Sequence, residues 1–90
     1  MAKILSEAAS KKIAHLNRQF EPFAKQGWMC EGGEYEGKPC NNIFNNDTGE
    51  FIYGSYDGEI LLTTLSHTPV ADAKKMANLQ GAIARTAMND

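Results

Sequence analysis

Leu5, Ala9, Ile13, Leu16, Phe20 and Phe23 recur at steps of three and four, so one apolar stripe runs along the first quarter of the chain. That period belongs to an amphipathic helix and predicts one from about Ile4 to Phe20. Pro22 lacks an amide and crowds the preceding turn, so the helix is expected to stop there or begin a fresh turn. Gly27 then frees the backbone to change direction.

Beyond Gly27 the period changes. Trp28-Met29-Cys30 is a short apolar run, and Glu31 to Pro39 reads mostly as turn material. Ile43 and Phe44 belong to the next strand. Asn46-Asp47-Thr48-Gly49-Glu50 suits a three-residue hairpin loop with Gly49 in the left-handed conformation. Phe51 to Tyr56 and Ile60 to Leu65 read as strands joined by a two-residue Asp57-Gly58 turn.

These turns predict a register. The second sets Tyr56 opposite Glu59, Ser55 opposite Ile60, Gly54 opposite Leu61, Tyr53 opposite Leu62, Ile52 opposite Thr63 and Phe51 opposite Thr64. The first brings Phe44 near Ile52 and Ile43 near Tyr53. Both faces of such a sheet carry apolar side chains, so the pattern leaves the buried face open. Apolar side chains left outside would mark a contact surface.

A second helix follows. Thr68 is its expected cap and Pro69 its first residue, and Val70, Ala73, Met76, Leu79, Ile83 and Ala87 form its stripe. Gly81 in its interior costs about 1 kcal/mol relative to alanine, which predicts a close contact at that position. Ala71, Ala77, Ala82 and Ala84 add small residues that would also suit a homodimer. The expected architecture over residues 1–90 is a single α+β domain. It has an N-terminal helix, an antiparallel sheet of three or four strands and a C-terminal helix, with both helices on one sheet face.

Charge adds a second layer. The 90 residues carry a net charge of −2, but the signs are segregated. Lys3, Lys11, Lys12, Arg18 and Lys25 outnumber the acids before Gly27, whereas Glu31, Glu34, Glu36, Asp47, Glu50, Asp57 and Glu59 face Lys38 alone between Gly27 and Leu65. An acidic middle repels polyanions and attracts basic protein surfaces. With two cysteines, no secretory leader and no apolar run of membrane-spanning length, the expected location is a reducing cytoplasm.

Candidate chemistry is sparse. Cys30, Cys40, His15 and His67 lack the paired spacing of zinc sites, and no base is tied to either thiol. A hairpin bending near Tyr35 would set the two cysteines facing each other. Asp47-Thr48-Gly49 copies the aspartic-protease triplet, but its asparagine-rich setting reads as a turn. Gly32, Gly33 and Gly37 stand among glutamates that would repel a phosphate. The expectation is a protein without catalysis, metal or cofactor.

Two binding readings remain. Ala73-Lys74-Lys75-Met76-Ala77, at the start of the last helix, resembles the lysine-rich stretch that opens the second helix of double-stranded-RNA-binding domains. That resemblance implies a nucleic-acid surface built from Lys11, Lys12, His15, Arg18, Lys74 and Lys75. Against it stand an acidic strand loop and a pI of about 5.6. The favoured expectation is a protein-binding module whose surface comprises Glu34, Tyr35, Glu36, Asp47, Glu50, Tyr53, Tyr56, Asp57 and Glu59. Its partner would be a larger basic protein or nucleoprotein complex, and in size and charge pattern the chain resembles small phage-encoded inhibitors of host defence systems.

Overall fold

The computed structural model describes residues 4–90. The first helix, α1, spans Glu7–Ala24. Ser6 caps it, its hydroxyl oxygen accepting from the Ala9 amide at 3.1 Å. That cap starts the helix three residues later than the Ile4 expected, and at Pro22 it neither stops nor restarts but runs through the proline into one more turn. Phe20 and Phe23 are both buried, with rings 6.0 Å apart, so core packing on either side of Pro22 outweighs the missing hydrogen bond. Gly27, at φ +104°, then ends the turn.

Four strands follow as an antiparallel meander: β1 Trp28–Tyr35, β2 Lys38–Asn45, β3 Phe51–Gly54 and β4 Ile60–Thr64, in that spatial order. The stretch expected to be mostly turn is instead the eight-residue β1, the start of β2 and a two-residue hairpin turn. Glu36 and Gly37 are both left-handed there, at φ 51° and 80°, the backbone that best matches strand twist. Pairing along the full length of both strands outweighs the weak strand preference of Gly32 and Gly33.

The β3–β4 pairing follows the expected register at Phe51–Thr64, Ile52–Thr63 and Tyr53–Leu62. It shifts at Gly54, which pairs with Ile60 and not Leu61. The turn is correspondingly a three-residue loop, Tyr56 to Gly58. Ser55 takes the place expected for Tyr56, its amide donating to the Glu59 carbonyl at 2.8 Å and its hydroxyl accepting from the Glu59 amide. The β2–β3 register is one residue from expectation, with Ile43 opposite Ile52 and Phe44 opposite Phe51. Asn45 is the cause. Its side-chain oxygen accepts from the amides of Asp47 and Thr48, which winds a four-residue loop where three residues were expected. One residue of slip exchanges the faces of a strand, so here it decides that Ile43 and Ile52 share the core side.

The second helix, α2, spans Val70–Met88 and lies antiparallel to α1 on that same side of the sheet. Its start differs from expectation: Pro69 occupies the cap position, and the Thr68 hydroxyl donates to Glu50 instead. Val70 consequently stays exposed, while Ala73, Met76, Ala77 and Leu79 join Phe20, Phe23, Trp28, Ile43 and Ile52 in the core. The close contact expected at Gly81 is present. A Cβ there would stand 2.9 Å from the Tyr56 carbonyl oxygen and 3.0 Å from the Gly58 amide. The β3–β4 turn therefore rests directly on α2.

Candidate functional site

The meander puts the β1–β2 and β3–β4 turns at one end of the sheet and the β2–β3 loop at the other. Between the two turns lies an open cleft of about 500 Å³ lined by Tyr35, Glu36, Lys38, Pro39, Ser55, Tyr56, Asp57, Glu59 and Leu61. Five of the nine residues expected to bind a partner, Tyr35, Glu36, Tyr56, Asp57 and Glu59, meet in this cleft. Glu34 is exposed at the same end, opposite Pro39. Among the described residues, the carboxylates of Glu34, Glu36, Asp57 and Glu59 make no hydrogen bond or ion pair, so their charge is free to act outward.

The cleft is fixed by backbone contacts. The Arg85 guanidinium donates to the Tyr56 carbonyl oxygen, and Gly58, at φ +93°, packs on Asn78 so closely that a Cβ would collide with the Asn78 Oδ1 atom. The loop thus needs no help from its carboxylates.

Tyr35 also joins the cleft to the sheet face that carries no helix. Its ring is 6.2 Å from that of Tyr53, which is 5.3 Å from that of Phe51. Met29, Phe44 and Leu62 share this face by register, and Met29 and Leu62 are 54% and 44% exposed. Met29, Phe44, Phe51 and Leu62 were absent from the expected site. Their signal was present in the sequence as alternation, but both faces carry apolar residues, which left the outer one unassigned, and the one-residue error in the β2–β3 register set Phe44 on the wrong side.

Asp47 and Glu50 do not belong with this group. Asp47 is exposed in the β2–β3 loop at the far end. Glu50, 2% exposed, is an internal ligand. One of its oxygens accepts from the amides of Ser66, His67 and Thr68 at 3.0, 3.2 and 3.0 Å, and the other from the Thr68 hydroxyl at 2.9 Å. Burial pushes its pKa up, but hydrogen bonds from the Thr48 side chain and from the amides of His67, Thr68 and Ser66 outweigh it and hold the carboxyl at about 2. The expected role in partner binding is therefore corrected: the carboxylate supplies acceptors for a segment whose own backbone has none.

The basic set is all exposed on the helices but divided along them. The contact of Ser6 with Asp90 puts Lys11 and Lys12 beside the end of α2, while Lys75 stands 6.0 Å over the Phe23 ring at the opposite end. Lys74 lies with Lys75, and His15 and Arg18 lie between the two ends. Lys11 is paired with Glu7 at 3.2 Å.

The cysteines do not face each other. The bend at Glu36-Gly37 pairs Cys30 with Ile43 and Cys40 with Gly33, which puts the thiols on opposite faces. Burial, with Glu31 and then Cys40 adding to it, raises the Cys30 thiol to about 11; burial and then Glu34 raise that of Cys40. Among the described residues no helix is long and apolar enough to cross a membrane. Comparison with protein-family models, curated proteins and solved structures found no match.

Proposed function

We propose that the protein is a stoichiometric binder of a larger, basic protein, and that the cleft between the two hairpin turns is where contact begins. The carrying observation is that Glu36, Asp57 and Glu59 converge with Tyr35 and Tyr56 on an open cleft while their carboxylates have no partner among the described residues. Unpaired carboxylates at a protein's tip accelerate encounter with a cationic surface, and tyrosine supplies contact area at small entropic cost. Occupation of a partner's nucleic-acid groove would make such a binder an inhibitor, in the manner of small phage-encoded proteins.

The test is the association rate with a lysine- and arginine-rich peptide at low and physiological salt. Reversing Glu34, Glu36, Asp57 and Glu59 to lysine is expected to slow association about tenfold or more and to remove its salt dependence. An unchanged rate overturns the assignment. The competing reading predicts binding of labelled DNA or RNA that is lost when Lys11, Lys12, Arg18, Lys74 and Lys75 become alanine.

A further inference from the structure

The inner face of the sheet buries its apolar side chains under two helices, but the outer face carries Met29, Phe44, Phe51, Tyr53 and Leu62 with no element of the described residues above them. We propose that this face docks one amphipathic, basic helix of the partner, lying across the sheet with its cationic end in the cleft between the turns. This rests on the function proposed above and extends it from the point of first contact to the whole bound surface.

Charge complementarity and backbone chemistry select that occupant. The apolar strip is continuous with the cleft through the Tyr35–Tyr53–Phe51 ring chain, so one ligand can reach both. Its surroundings carry Glu31, Glu36, Asp57 and Glu59 against Lys38. An apolar ligand with a cationic end satisfies both parts, whereas a phosphate backbone meets repulsion at the rim. A second copy of this chain would bring another acidic rim against a face whose one cation is Lys38. The face of a sheet, unlike its edge, offers no free backbone groups. A ligand lying on it must therefore satisfy its own, as a helix does. Arginine suits the cleft better than lysine, because a planar guanidinium can stack on Tyr35 or Tyr56 while bonding a carboxylate.

The experiment uses the full chain and three synthetic peptides of equal length, followed by NMR shift mapping and titration. The first has leucines at helical spacing and an arginine cluster at one end. The second has the arginines replaced by glutamate, and the third has the leucines replaced by serine. The first is expected to bind at least tenfold more tightly than either control, shifting Met29, Phe44, Phe51 and Leu62 together with Tyr35, Tyr56 and Glu59. Leu62→Asp and Met29→Asp, both at exposed positions and so expected to fold, should each weaken it about tenfold. Equal binding of the first and third peptides, confined to the cleft, overturns the docking face and leaves the proposed function standing. No binding of any peptide overturns both. Concentration-dependent dimerisation through the outer face in sedimentation equilibrium, or binding of single-stranded RNA there, also overturns the proposal.

Discussion

The two ends of the sheet carry carboxylates in opposite settings. At the β2–β3 end Glu50 is buried and accepts four hydrogen bonds from the segment that leads into α2. At the other end Glu36, Asp57 and Glu59 are exposed, and the β3–β4 turn that carries Asp57 is fixed by glycine packing and by Arg85 on the Tyr56 carbonyl. An acidic residue is structural where backbone amides converge on it and free to meet a partner where nothing does. Removing carboxylates should therefore cost stability at one end and binding at the other.

The largest effect is expected at Glu50. Glu50→Ala leaves three amides and a hydroxyl without their acceptor, a loss of about 3 kcal/mol or more given roughly 1–3 kcal/mol for each buried orphan. Glu59→Gln should stay within about 0.5 kcal/mol of the parent. Urea denaturation of the two variants measures the contrast, and equal losses would break it.

Acid titration probes the same carboxylate without mutation. Its folded pKa, about 2, lies below its ordinary 4.5, so the unfolded chain binds the proton more readily. The contribution is therefore full above about pH 4.5 and is lost as pH falls toward 2. Stability against pH should decline through that window in the parent, and the Glu50-dependent part of the decline should vanish in Glu50→Gln.

At the cleft end the sensitive positions are glycines. Gly81→Ala sets a methyl against the Tyr56 and Gly58 backbone and is expected to cost about 1–2 kcal/mol after the gain in helix propensity. Gly32→Ala meets nothing within 4 Å and should be nearly neutral. The smallest effect lies midway along β2. Asn41, 8% exposed, has an Nδ2 group without a partner, so Asn41→Leu should be neutral or stabilising by up to about 1 kcal/mol in thermal unfolding.

The helices, the number of layers and most of the β3–β4 pairing were legible from spacing alone. Leu5 to Phe23 repeats at the helical period, but the Ser6 cap starts the helix at Glu7, after Leu5, and core packing carries it past Pro22. The site was legible in part. Tyr35, Glu36, Tyr56, Asp57 and Glu59 stood out as acidic and aromatic turn residues, yet their meeting depends on β1 and β2 pairing along eight residues, which the glycines of β1 concealed. Glu50 was misread because composition counts charges but not the amides that face them. An apolar contact face was expected but not assigned to either side, because both faces carry apolar residues and Asn45, by winding one further residue into its loop, moved Phe44 opposite Phe51.

The most direct test of this division of labour is a pair of NMR titrations with the leucine–arginine helical peptide, one on the parent and one on Asp57→Lys/Glu59→Lys. The account predicts shifts at Tyr35, Tyr53, Tyr56 and Leu62 but not at Glu50, Ser66 or His67, and their loss in the variant while its melting temperature is unchanged. Shifts centred on Lys11, Arg18 and Lys74, or persisting in the variant, would contradict it.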